Sequence, residues 1–155
     1  MEVLYSPPVQ RSCLVLAAAF CIFFAAPTRA ARVFDTVVLD PGHGGWDKGG
    51  LRTVKVQEKK MTLLTALTVR ELLEEAGLDV IMTRDSDVYI SLSARVSIAN
   101  SHPRAIFVSI HYNADYGSSG NGIETYCSRY TSKGRPLRHA IHRQLIRRTG
   151  ARDRG

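Results

Sequence analysis

A chain of 155 residues with a formal net charge of +7 is one domain at most, and 45% hydrophobic against 23% charged residues excludes a disordered polymer. The charge is uneven. Residues 31–127 carry 10 Lys or Arg against 12 Asp or Glu, whereas residues 128–155 carry 9 against 1, so the basic character belongs to the tail. Such a tail could attract nucleic acid or an anionic envelope polymer, but the simpler reading of a run like this is the wet face of a helix.

Arg11 precedes an apolar run from Cys13 to Ala26, and Pro27-Thr28-Arg29-Ala30 offers small residues for cleavage after Ala30. The run is 14 residues, short of the roughly 20 that span a bilayer. Residues 1–30 therefore read as a secretory signal, the alternative being a short membrane anchor. Ser12 and Phe20 put neither Cys13 nor Cys21 in a lipoprotein context. Past the signal the single cysteine is Cys127, so an exported chain has no internal disulfide and depends on core burial.

In chain order, Thr36 to Leu39 reads as a short buried strand that breaks at Asp40-Pro41-Gly42. His43 follows on a tight glycine-rich loop, at the C-terminal end of a strand, where α/β sheets hold their ligands. It is either a metal ligand or catalytic group, or a loop histidine beside an ordinary turn. Trp46 to Gln57 lacks periodicity and reads as a loop. A helix is expected from Glu58 to Ala76, with Val69, Leu72, Leu73 and Ala76 inward, Glu71, Glu74 and Glu75 outward, and Gly77 as C-cap. Leu78 to Thr83 is a second strand and Arg84 to Ile90 a loop. Ser91 caps a short helix that stops before His102-Pro103. Ala105 to Ile110, the most apolar run, is expected to be a central strand. His111 stands at its end, a polar loop runs from Asn113 to Asn121, Gly122 to Cys127 alternates as a fourth strand, and a basic helix covers Ser132 to Thr149 with Gly150 closing it. This order predicts an α/β three-layer domain, with a largely parallel, mixed sheet flanked by helices.

If the strands before His43 and His111 are parallel neighbours, both imidazoles leave the same sheet edge. Glu58, at the start of a helix running antiparallel to those strands, belongs to that edge too. Two His and one Glu form the ligand set of a catalytic zinc ion with a fourth position for water, suited to amide hydrolysis. A proton-shuttling group is still required. Glu124 and Asp115 are candidates, though each reads more simply as structural. His102 precedes a proline in a turn, and His139 and His142 fall on the basic helix, where a solvated face is expected.

The series Asp40-Pro41-Gly42-His43-Gly44-Gly45, Glu58 within Q-E-K-K-M-T-L, T-R-D-S-D at 83–87, S-L-S-A-R at 91–95 leading into I-A-N, and S-I-H-Y-N-A at 109–114 resembles the zinc-dependent N-acetylmuramoyl-L-alanine amidases of the bacterial cell wall. The resemblance implies an α/β domain with a twisted mixed sheet. It makes His43, Glu58 and His111 zinc ligands, and the scissile bond the one joining the lactyl group of N-acetylmuramic acid to L-alanine. It also implies an exported protein, periplasmic or extracellular, that meets peptidoglycan as a monomer, with no nucleic-acid partner and no stable membrane span after signal cleavage. The family's domain continues past its equivalent of Arg154-Gly155 and carries a glutamate in a segment like E-x-G-F-x-x-N, for which residues 31–155 hold no counterpart. The expectation is thus a C-terminally truncated catalytic domain without the family's general base, Glu124 being the candidate that remains. The alternative is a non-catalytic, zinc-bearing peptidoglycan-binding protein.

Overall fold

The computed structural model describes residues 33–50, 57–113, 121–130 and 133–155; the predicted signal at 1–30 and Asp115 lie outside them. The elements are β1 (Thr36–Pro41), α1 (Glu58–Glu75), β2 (Asp79–Met82), α2 (Leu92–Asn100), β3 (Ala105–Ile110) and α3 (Gly134–Thr149). The three strands form a parallel sheet in the order β2-β1-β3. Thr36 pairs with Asp79 on one side and Ala105 on the other, so all three strands start together; β2 ends at Met82 opposite Leu39, while β1 and β3 run on side by side to Pro41 and Ile110. β1 leads to β2 on one side, and the chain then crosses to β3 on the other. Right-handed crossovers taken in opposite directions lay α1 and α2 on opposite faces of the sheet, which makes the three layers.

The central place belongs to β1, not to the more apolar β3. β1 is buried from Val37 to Pro41 because it has a strand on each side and a helix over each face. β3 is only half-buried, and its Phe107 is 45% exposed. Apolarity expresses a demand for burial, but the sense of each crossover decides sheet order. β1 also runs two residues further than its β-branched run suggests. Asp40 and Pro41 pair with Ser109 and Ile110, a proline being tolerated at the end of a strand when no ladder donor is needed there.

The fourth strand expected over Gly122 to Cys127 does not join the described sheet. The segment instead pairs with the tail through one isolated bridge, Ile123 to Asp153. Ile123 N–H donates to the Arg152 carbonyl at 2.9 Å, and Thr125 N–H to the Gly155 carbonyl at 2.8 Å. Alternation marks a strand's two faces without naming the edge it pairs with.

α1 ends as expected, its chain turning out at Gly77 with φ 73°. Its inward line is Thr62, Ala66, Val69 and Leu73, with Leu72 exposed, a stripe rotated from the expected one. Small side chains at 62 and 66 let the helix approach the sheet closely. Ser91 caps α2, its hydroxyl accepting from Ala94 N–H at 3.2 Å. α3 lies off the sheet and ends at Gly150, φ 66°. Cys127 is a free, half-buried thiol. Among the described residues no helix is long and apolar enough to cross a membrane.

The innermost region is more polar than apolar. Val37, Val38, Leu39 and Ala66 are its buried hydrophobic residues, whereas Asp40, Glu58, Lys59, Thr62, Thr83, Arg84 and Arg95 are buried alongside them. Buried polar groups persist only when they are bonded. The Asp40 carboxylate pairs with Arg95 and accepts from Thr83 Oγ1 at 2.6 Å and Ser109 Oγ at 2.7 Å. Arg95→Met should therefore leave a buried, part-satisfied carboxylate and cost about 3–5 kcal/mol. Arg104→Ala, which removes the solvent-facing pair with Asp35, should barely move the midpoint. Urea denaturation of the two variants compares them directly.

Candidate functional site

In an open parallel sheet, ligands bind beyond the carboxyl ends of strands where the winding reverses. Here the reversal lies between β1 and β3. The two strand ends stay together because Gly42 N–H donates to the Ile110 carbonyl at 3.0 Å. His43 lies two residues beyond β1 and His111 one beyond β3, and their rings meet edge to face with centroids 4.8 Å apart. Glu58, the first residue of α1, reaches between them. One carboxylate oxygen, Oε2, is 3.2 Å from His43 Nε2, and the other, Oε1, is 3.3 Å from His111 Nδ1. Gly50 N–H and Tyr112 N–H donate to the same two oxygens at 2.9 and 2.8 Å. One ligand atom can be taken from each of the three residues so that all lie within 4.8 Å of one another.

The loop that presents His43 is held at every step. Arg84 Nε and Arg95 donate to the Pro41 carbonyl, Arg84 and Thr62 Oγ1 to that of Gly42, and Arg95 to that of His43. Gly44 and Asp47 exchange both backbone hydrogen bonds, and Lys59 Nζ donates to the Gly45 carbonyl at 2.6 Å. Thus each backbone carbonyl from Pro41 to Gly45 accepts a hydrogen bond. This lattice keeps His43 at φ 63°, in the left-handed region that costs a non-glycine residue on the order of 1 kcal/mol or more. Trp46, beyond the lattice, stacks on Tyr89 with centroids 4.3 Å apart.

Two of the glycines required by close approach border the cluster. A Cβ at Gly42 would stand 2.3 Å from His111 Cε1, and one at Gly49, where φ is 81°, would stand 2.5 Å from Glu58 Oε2. The rings and the carboxylate are packed directly against bare backbone.

The electrostatics favour a cation. Glu58 is 2% exposed, yet among the described residues its ion-pair partners are the two imidazoles alone. A carboxylate buried in that way is costly unless positive charge joins it. Asp47 bonds His43 Nδ1 at 2.9 Å. Burial raises the Asp47 pKa, but the His43 hydrogen bond, Gly49 N–H and the charges of His43 and Arg95 outweigh it and bring the pKa below the ordinary carboxylate value. Burial, then the like charge of Arg95, lowers that of Arg84.

The other candidates stand elsewhere. Glu124 pairs with Arg154 Nε at 2.9 Å, accepts from the Tyr126 hydroxyl at 2.7 Å and from Asn113 Nδ2, two residues beyond His111, at 3.4 Å, and among the described residues it bonds none of the three cluster side chains. His102 closes the turn after α2. His139 is exposed as expected, but His142 is not on a solvated face. Its side chain is only 12% exposed and bridges Thr125 Oγ1 at 3.0 Å and Asp153 at 2.8 Å, because the tail folds back over that side of α3. Asp47, Lys59, Arg84 and Arg95 carry the site; in the sequence Asp47 reads only as part of a loop, and the other three stand inside the family motifs without an assigned role. The available signal was charge within short motifs that end or border buried elements, where solvation alone does not explain it.

The sequence profile of the N-acetylmuramoyl-L-alanine amidase family matches residues 37–155. The chain belongs to that family. It is 39% identical over 124 residues to the N-acetylmuramoyl-L-alanine amidase CwlM of Bacillus licheniformis, covering 77% of this chain and 47% of the relative. Against the sporulation-specific N-acetylmuramoyl-L-alanine amidase of Bacillus subtilis the identity is 37%, covering 77% and 46%. The chain thus spans about half the length of these curated relatives. The catalytic domain of CwlV, an N-acetylmuramoyl-L-alanine amidase from Bacillus (Paenibacillus) polymyxa, superposes with a TM-score of 0.72 at 36% identity, covering 79% of this chain and 68% of that one. An N-acetylmuramoyl-L-alanine amidase from Clostridium difficile 630 gives 0.74 at 34%, covering 80% and 69%.

Two measurements probe the loop of this amidase-family chain. Gly42→Ala should displace the His111 ring, read as a shift of its Cε1–H resonance, while Gly134→Ala, whose Cβ would meet nothing closer than 3.4 Å, leaves that resonance in place. Asp87 clamps the loop, its Oδ2 accepting from Lys59 Nζ at 2.6 Å and its Oδ1 from Gly45 N–H at 2.9 Å. These bonds lower the Asp87 pKa, so the clamp contributes fully above the unfolded value of about 3.9. Its contribution is lost as pH falls through the lower folded value. Unfolding midpoints of the parent and Asp87→Asn should therefore differ at pH 6 and converge towards pH 2.

Proposed function

We propose that this chain acts as a zinc hydrolase on peptidoglycan, cutting the amide between the lactyl group of N-acetylmuramic acid and L-alanine, with His43, Glu58 and His111 as the metal ligands. The observation that carries the reading is the buried Glu58 carboxylate, held by two backbone N–H groups between two imidazoles and lacking any Lys or Arg partner among the described residues. Two imidazole nitrogens and one carboxylate oxygen are a donor set that suits zinc. One atom from each residue can be chosen with all three within 4.8 Å, wider than the about 3.3 Å between tetrahedral ligands at bonds of ~2.0–2.1 Å, so the side chains would draw inward on a bound ion. Bound there, zinc would acidify water to a pKa of ~7 and polarise the amide carbonyl. The chain's own contribution is to aim the donors. Gly50 and Tyr112 fix both oxygens of Glu58, and the carbonyl lattice holds His43 against the sheet end. The sequence at 1–30, read as a secretory signal, agrees with a substrate outside the cytoplasm.

A second reading draws on Glu124. Its carboxylate is shared by Arg154 Nε, the Tyr126 hydroxyl and, at 3.4 Å, Asn113 Nδ2, bonds that would compete with a role as general base. A chain that holds zinc and peptidoglycan without cleaving would have this arrangement. Both readings predict one zinc per chain by elemental analysis, lost in Glu58→Ala; a parent chain without zinc overturns both. With purified peptidoglycan, the first predicts new free N-terminal L-alanine that is chelator-sensitive and absent in Glu58→Ala. Co-sedimentation with sacculi and no new amine would decide for the second.

A further inference from the structure

The two histidines of the cluster are not equivalent. His43 has a carboxylate on its far side: Asp47 Oδ2 lies 2.9 Å from Nδ1, while Nε2 faces Glu58 at 3.2 Å. Asp47 is itself aimed. Its backbone exchanges two hydrogen bonds with Gly44, closing a turn that brings residue 47 back beneath residue 43, and its Oδ1 accepts Gly49 N–H at 3.2 Å. His111 turns Nδ1 towards Glu58, and among the described residues no carboxylate stands behind it.

A carboxylate accepts and does not donate, so the nitrogen beside Asp47 must carry the proton. A neutral imidazole protonated on Nδ1 presents its lone pair on Nε2, the atom that faces the cluster. The bond also sets the ring's rotation and increases the electron density available at Nε2. We propose that Asp47 is a positioning residue, holding His43 in the Nδ1–H tautomer with Nε2 turned to the metal, so that zinc affinity depends on a carboxylate at position 47. The inference rests on the zinc reading above.

Asparagine discriminates this role from mere packing. Asp47→Asn keeps the side-chain shape, yet its amide can donate to Nδ1 and so favour the opposite tautomer, which takes the lone pair away from the cluster. A packing role predicts that Asn is milder than Ala, whereas the tautomer role predicts that Asn is at least as harmful. The test measures zinc affinity of the full chain by competition with a chromophoric chelator, for the parent, Asp47→Asn, Asp47→Ala and Asp47→Glu. Alongside it, ¹⁵N spectra of the zinc-free chains report the His43 tautomer, and thermal unfolding of the same samples reports the fold. The expected result is a 10- to 100-fold weaker affinity for Asn and Ala, partial recovery in Glu, loss of the Nδ1–H signature in Asn, and unfolding temperatures close to the parent's. Parent-like affinity in Asn and Ala, or an Asn variant that binds more tightly than Ala and retains the Nδ1–H tautomer, overturns the role of Asp47 while leaving the zinc site intact. A parent chain that takes up no zinc overturns the metal reading itself.

Discussion

The structure depends on a small buried lattice in which two guanidinium groups hold the loop after β1. Arg95 pairs with the Asp40 carboxylate and reaches the carbonyls of Pro41 and His43, while Arg84 holds those of Pro41 and Gly42. A segment reading Pro-Gly-His-Gly-Gly has little intrinsic reason to adopt one shape. Each hydrogen bond contributes about 1 kcal/mol net, and more when the donor is charged. Together they exceed the strain of His43 at φ 63°. Removing one guanidinium would strand several acceptors at once, so the loop and the sheet end stand or fall together.

That rigidity has meaning because of where the sheet reverses. Fifteen residues separate His43 from Glu58 and fifty-three separate Glu58 from His111, yet the three meet because β1 and β3 are parallel neighbours in matched register. α1 brings Glu58 back to the same end as it starts its return run. The N–H groups of Gly50 and Tyr112 then orient the carboxylate. Geometry at the cluster is thus set by backbone more than by side-chain packing, which suits a site that must hold its donors still.

The basic tail plays a different part from the rest of the chain. Arg135, Arg143, Arg147 and Arg148 lie exposed along α3, in keeping with a wet helix face. Its inner side is joined to the preceding segment by polar ties: His142 bridges Thr125 and Asp153, and Arg154 meets Glu124. These bonds order residues 121–130 and 133–155 against one another. They also occupy the carboxylate that the sequence offered as a candidate base.

Much of this was legible in the residues. β-branched runs announced β1 and β3, Ser91 and Gly77 marked helix ends, and the motifs around His43, Glu58 and His111 identified the family, because these signals are local or tied to single side chains. Burial of Arg84 and Arg95, the pairing of Asp47 with His43, the central place of β1 and the rotated stripe of α1 were not legible. Each depends on which distant backbone carbonyl, carboxylate or strand edge arrives alongside, and a charged side chain reads the same in sequence whether it meets water or a buried acceptor. The chain's composition and motifs thus determined the elements and the chemistry they could offer, and the crossovers of a parallel sheet decided which of those groups face one another.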